Sequence, residues 1–218
     1  MHIPDGFLTA STWIPTWILS IGGIAYSVKQ ASKQLKEKIV PLMGVMSAFI
    51  FAAQMLNFPI AGGTSGHLLG GVLAAVLLGP YAGAIVISAV LTIQCLVFQD
   101  GGLTALGANI FNMAIVGTMG GYLAYKVIRK IVKSDSGLII ATFIASWFSV
   151  ILASSACALE LAISGTAPFG VVFPAMVGVH AIIGIGEAII TTLVVSFVLK
   201  VRSDLIYEKS IALASDSI

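Results

Sequence analysis

The sequence predicts an all-α membrane protein of seven transmembrane helices, with the N-terminus outside and the C-terminus in the cytoplasm. Three observations predict it. Hydrophobic residues make up 58% of the 218 positions and charged residues 9%, against about 45–50% and about 25% in soluble globular domains. Apolar runs alternate with short Gly, Pro or polar clusters along the whole chain. With seven spans, all eleven Lys and Arg residues fall on one side, which the positive-inside rule makes cytoplasmic. Six or eight spans would scatter those charges over both sides.

The chain begins Met1-His2-Ile3-Pro4-Asp5-Gly6-Phe7. It has no basic leader segment and no small-residue cleavage site, so no signal peptide is expected. A bulky second residue should discourage removal of the initiator methionine, and the mature chain is expected to start at Met1. Pro4-Asp5-Gly6 is a turn sequence, with proline fixing φ and glycine closing the turn. The first span, 8–27, carries Trp13 and Trp17 near its start, as in an interfacial aromatic belt. A basic loop over 29–38 follows, with Lys29, Lys33, Lys36 and Lys38. The second span is 39–57, and a Gly-rich loop covers 61–66. The third apolar run, 67–78, is only 12 residues long, too short for the ~20 helical residues a bilayer needs. Thr64 and Ser65 suit its N-cap, which puts His67 in its first turn.

The fourth span is 81–98 and the fifth 105–125, closed by Lys126, Arg129, Lys130 and Lys133. The sixth is 138–163 and the seventh 172–199, closed by Lys200 and Arg202, with Lys209 beyond. The tail after 203 reads as frayed and cytoplasmic. Cys95 and Cys157 lie inside spans and read as small apolar residues. The net charge of +2 makes no case for nucleic acid, because topology accounts for the basic residues. The surroundings implied are membrane lipid.

This topology gathers His2, Asp5, His67 and Asp100 on the outer side. A free α-amine followed at once by histidine is a chelator: the Met1 amine, the His2 amide nitrogen and His2 Nδ1 close adjacent five- and six-membered rings on one ion. His67 is the candidate for the fourth corner of the square plane. An all-nitrogen plane suits Ni(II) or Cu(II), and imidazole suits cobalt too. The plain alternative is a frayed terminus and an interfacial histidine, each favoured when that residue is taken alone. Asp5, Ser65 and Asn109 are candidates to surround the ligands.

His180 and Glu187 lie seven residues apart on one face of the last span, and ionisable groups inside membranes are functional candidates by default. They are read here as supporting or packing groups. Asn57, Gln94, Asn109 and Asn112 read mostly as interhelical glue, and Glu160 as interfacial. Gly44, Ala48 and Ala52 form a small-residue stripe on the second span. It serves either packing inside the bundle or docking to another membrane subunit.

No G-x-x-x-x-G-K-[ST] loop is present, so this chain has no ATP site of its own, and no H-E-x-x-H occurs. Met1 to Leu8, Asn57-Phe58-Pro59-Ile60, Gly62 to Gly71 (GGTSGHLLGG) and Gly101 to Met113 (GGLTALGANIFNM) resemble the CbiM/NikM family. These are the substrate-specific S components of energy-coupling factor (ECF) transporters for nickel and cobalt in prokaryotic cell membranes. The resemblance runs over essentially the whole chain. It implies Met1, His2 and His67 as metal ligands and Ni2+, or else Co2+, as the transported substrate, with no enzymatic activity. It also implies one membrane domain over 1–218: a chelating segment 1–7, an extra helix 8–27, a six-helix core 39–199 and a cytoplasmic tail 203–218. The partners implied are a transmembrane T component docked on Gly44, Ala48 and Ala52, cytoplasmic ATPase subunits, and often a small extra membrane subunit. The rival readings are a self-sufficient carrier or channel for a small organic solute, using His180 and Glu187, and an intramembrane enzyme built on the same pair.

Overall fold

Residues 1–34, 39–60 and 64–215 are described by a computed structural model. In order they form α1 (Ala10–Gln34), α2 (Ile39–Gln54), an antiparallel hairpin of β1 (Phe58–Ile60) and β2 (Thr64–Gly66), α3 (Gly71–Leu78), α4 (Pro80–Phe98) and α5 (Leu106–Ile110). A π-helical segment (Phe111–Met119) then leads without a break into α6 (Gly120–Ile131). After it come α7 (Asp135–Ile163), α8 (Phe169–Val201), a 3-10 turn (Ser203–Leu205) and α9 (Tyr207–Ser215). Among the described residues, α4, α7 and α8 are long and apolar enough to cross a membrane, and α2 is a shorter apolar helix. The chain is a multi-pass helical membrane protein.

The bundle is arranged around α3. All eight of its residues are buried, and it touches α2, α4, the π segment, α6, α7, α8 and α9. Eight helical residues rise only about 12 Å, so α3 starts deep inside the bundle. Its start differs from the expected one. Residues 67–70 are outside any helix or strand, Gly70 in the left-handed region (φ 75°) precedes the first turn, and no side chain caps it locally. The cap comes from far away in sequence. Glu187 of α8 accepts the backbone N–H groups of Leu69 (2.5 Å) and Gly70 (2.8 Å), and Gln54 donates to Leu69 O at 2.7 Å. Irregular backbone at membrane depth persists only where protein satisfies it, and these two side chains do so.

Other boundaries move too. Helix α1 runs on to Gln34, so Lys29 and Lys33 are helical rather than in a loop; Lys36 and Lys38, like Gly62 and Gly63, lie outside the described residues. A hairpin stands where a loop was expected after α2. Glu160, near the end of α7, is buried in the protein and accepts a 2.6 Å bond from Asn112 in the π segment. The tail after 203 is not frayed through its described part. Arg129 grips Glu208 through 2.7 and 3.0 Å bonds, Lys209 reaches Asp135 at 2.8 Å, and Ile206 is buried. The Tyr207 ring seats where a Cβ on Gly79 would otherwise project.

Candidate metal centre

The first eight residues enter the bundle from the end opposite α9. Asp5 and Gly6 form the expected turn, with Gly6 at φ 84°. Met1 and Ile3 are fully buried, and His2 is 3% exposed. Backbone pairing drives this insertion. Ile3 N–H donates to Asn109 Oδ1 (2.8 Å), Asn109 Nδ2 donates to Ile3 O (3.3 Å), and Gly102 N–H donates to the same carbonyl (2.8 Å). The segment therefore docks against Asn109 and the 101–104 loop much as an added strand would. Gly102 is required there, because a Cβ would lie 2.2 Å from Asp5 N.

Asp5 fixes the exit of the segment. Its Oδ2 accepts from Leu103 N–H (3.0 Å), and its Oδ1 from Thr104 N–H (2.8 Å) and the Thr104 hydroxyl (2.5 Å). The Thr104 hydroxyl bond, with backbone N–H groups adding to it, holds the Asp5 pKa below the usual carboxylate range. Three bonds thus tie Asp5 to that loop.

The Met1 amine bonds to the Ser65 carbonyl and lies 3.4 Å from the Ser65 hydroxyl. Burial pushes its pKa down from 8.0 to about 5. His2 Nε2 lies 3.1 Å from Gln94 Oε1, and His67 Nδ1 lies 2.7 Å from Leu68 O. The Leu68 carbonyl can only accept, so His67 Nδ1 carries the hydrogen, and with Gln94 Oε1 turned toward it His2 Nε2 does the same. The other nitrogen of each ring, His2 Nδ1 and His67 Nε2, is then a bare lone pair. Both are buried without a hydrogen-bond partner, and the two ring centroids are 4.5 Å apart. Burial, with the adjacent amine second, holds the His2 pKa down to about 3, which keeps the ring neutral as a ligand must be.

Three predicted positions thus converge: Met1, His2 and His67 meet, with Ser65 against the amine. Asn109 and Asp5 hold the segment that carries the first two. Glu187 acts one step away, on the backbone next to His67. His180 is bonded within its own helix, Nδ1 to Met176 O at 2.7 Å. Among the described residues no three His, Cys, Asp or Glu side chains cluster as a metal site. The available donors are instead two imidazoles, a terminal amine and a backbone nitrogen.

Gln94 and Gln54 were not assigned a place at the site by sequence reasoning, and Asp100 was placed only on the same side as the ligands. Gln94 selects the His2 tautomer, Gln54 anchors the His67 loop, and Asp100 Oδ1 sits 3.4 Å from His2 Nδ1. Burial raises the Asp100 pKa, while the Met1 amine and Asn57 pull it back. An open cavity of about 740 Å³ leads to this spot, with Asp5, Asn57, Ser65 and Asp100 in its wall.

Comparison with known proteins bears on the same chain. The family described as cobalt uptake substrate-specific transmembrane region (CbiM) matches residues 2–205. A fused nickel transport protein NikMN of Archaeoglobus fulgidus is 48% identical over 96% of this chain and 69% of its own length. The cobalt transport protein CbiM 2 of Methanosarcina barkeri is 34% identical over 97% of this chain and 94% of its own. A crystal structure of a truncated transition metal transporter superposes with a TM-score of 0.86 at 36% identity, covering 92% of this chain and 99% of that one.

Proposed function

This chain belongs to the CbiM family of cobalt uptake substrate-specific transmembrane regions, and on that premise we propose that it is the metal-capturing S component of an ATP-driven ECF importer. The family is one of nickel and cobalt transport, not of enzymes. The substrate is Ni2+, with Co2+ as the alternative. It is held in a square plane by the Met1 amine, the His2 amide nitrogen, His2 Nδ1 and His67 Nε2. The observation that carries this reading is the pair of buried imidazoles 4.5 Å apart, each with one nitrogen bonded away and the other without a partner. Both sit beside the Met1 amine's partner, Ser65. An unpaired buried acceptor costs roughly 1–3 kcal/mol. A bound ion would offset that cost twice.

Copper would bind such a site more tightly on the Irving–Williams order, so affinity is not the source of selectivity. The seven crossings are α1, α2, the 67–78 segment, α4, the continuous 106–131 helix, α7 and α8, in a prokaryotic cell membrane with Met1 outside. The six crossings after α1 form the core of the single membrane domain. Energy comes from cytoplasmic ATPases through a T component docked on Gly44, Ala48 and Ala52, with a small extra membrane subunit in some assemblies. The carrier reading is weakened by Glu187, whose two oxygens already hold the Leu69 and Gly70 amides.

The test compares nickel binding by the chain with Met1 first, by a form with three residues added ahead of Met1, and by His67→Ala. The extension carries the amine out of chelating reach of the His2 ring and breaks the five-membered ring while leaving every helix intact. Tight binding and the yellow absorption of square-planar nickel are expected only in the first. Equal binding by all three moves the ion elsewhere, and His180 with Glu187 becomes the next place to look.

A further inference from the structure

Two carboxylates among the described residues line the open cavity in front of His2. Asp5 is tied to the 101–104 loop by three bonds from Leu103 and Thr104. Asp100 is different. One oxygen takes a 3.1 Å bond from Asn57 Nδ2, and the other lies 3.4 Å from the unpartnered, buried Nδ1 of His2. Its side chain is 17% exposed, at the cavity wall, while His2 is 3% exposed behind it.

The backbone is shaped to put Asp100 there. Among the described residues Gln99 is the one non-glycine with a positive φ, at 57°. Non-glycine residues are uncommon in that region, and backbone strain of this kind clusters at functional sites. The left-handed Gln99 closes α4, Asp100 N–H bonds to Gln94 O at 3.0 Å, and Gly101 at φ 92° turns the chain back toward Ile3. Helix α4 thus delivers Gln94 to one nitrogen of His2 and Asp100 to the other.

We propose that Asp100 is an inlet carboxylate: it takes the hydrated divalent cation from the cavity first and passes it to His2 Nδ1. This rests on the terminal-chelate reading and adds a route to it. Water ligands on the cation exchange stepwise, one for Asp100 Oδ1 and then the rest for nitrogens, and the carboxylate is released once the plane is complete. A negative group at the mouth of a low-dielectric pocket concentrates cations and raises association rates, with a strong dependence on ionic strength. Asp100 therefore acts through the capture rate, and affinity changes only by the factor that association loses.

Stopped-flow nickel binding to the whole protein in detergent tests this, with wild type, Asp100→Asn, Asp100→Glu and His67→Ala. In Asp100→Asn, association at low ionic strength is expected to slow about tenfold. Dissociation should stay within twofold, and the final absorption should match wild type, which shows that the site is folded. Asp100→Glu should recover most of the rate, and wild-type association should fall with added salt. Unchanged association in Asp100→Asn, or a wild-type rate indifferent to salt, overturns the proposal, and the salt series holds even if a variant fails to fold. Slower association matched by faster dissociation also overturns it, since Asp100 would then hold the bound ion. Tight binding retained in His67→Ala overturns the chelate reading itself, and this inference with it. Lost binding in His67→Ala with wild-type association in Asp100→Asn removes Asp100 alone.

Discussion

Gln94 and Leu68 decide which nitrogen of each histidine is available, since each presents an oxygen to one ring nitrogen and leaves the other bare. Burial decides the proton inventory. An amine pulled from 8.0 to about 5 by burial binds its proton less well docked than free. Docking of the terminal segment is therefore most favourable above pH 8, and it weakens as pH falls from 8 toward 5. At pH 7 the docked amine and the His2 ring, near 3, are both already neutral. Nickel binding should then release about one proton, that of the His2 amide, rising toward two near pH 5 as the amine joins in. Calorimetry in buffers of different ionisation enthalpy counts these protons. Two released at pH 7 would mean that the amine waits protonated in water and that the docked arrangement is not the resting one. At this scale the proximity of Met1, His2 and His67 was legible because a terminal amine next to histidine has a chemistry of its own, and topology put Asp100 on their side. The contacts of Gln94 and Asp100 with His2 were not, because the partner of a polar residue depends on which helices face each other.

The apolar runs of α2, α4, α7 and α8 were readable from composition and punctuation, and the short third run declared itself by its length. Its starting point did not. Thr64 and Ser65 look like caps, yet the groups that satisfy this helix start are Glu187 and Gln54, from two other helices. The π segment over Phe111–Met119 carries no local signal that distinguishes it from an α-helix. Gly101-Gly102 separates two apolar runs in the sequence, and its tighter role appears only with the terminal segment laid across it. Replacing Gly102 with alanine puts a methyl group 2.2 Å from Asp5 N and 2.6 Å from the Pro4 carbonyl carbon, both of them backbone. The segment must lift off. Gly102→Ala should weaken nickel affinity by about a hundredfold or more, roughly the 3 kcal/mol of a badly overpacked site, while helix content by circular dichroism stays as in wild type. Wild-type affinity in that variant would show that the segment reaches the ion by another path.

Across the whole molecule the two ends of the bundle do different work. One end receives the terminal segment; at the other, α9 closes under α3 through Tyr207 and the Arg129–Glu208 pair. Between them α2 turns Met46, Ile50 and Gln54 inward and leaves Gly44, Ala48 and Ala52 exposed. A Cβ at Gly44 would meet nothing within 4 Å. Small residues in that pattern are not filling this chain's own core, which removes the internal-packing explanation for the stripe. Where lipid is as apolar as any side chain, helices associate through close packing that bulk on the stripe prevents. Gln54, on the inner face of the same helix, bonds to Leu69 O near His67, so the proposed capture and docking would use opposite faces of one element. Leucine at Ala48 or Ala52 should therefore reduce co-purification with the T component at least tenfold and leave nickel affinity within twofold of wild type. Normal co-purification would move the docking surface away from α2. The exposed Gly178 and Gly186 of α8, also open around their Cβ positions, would then be the next face to substitute. A fall in nickel affinity alongside lost assembly would mean instead that α2 shifts as a body and carries Gln54 and the His67 loop with it.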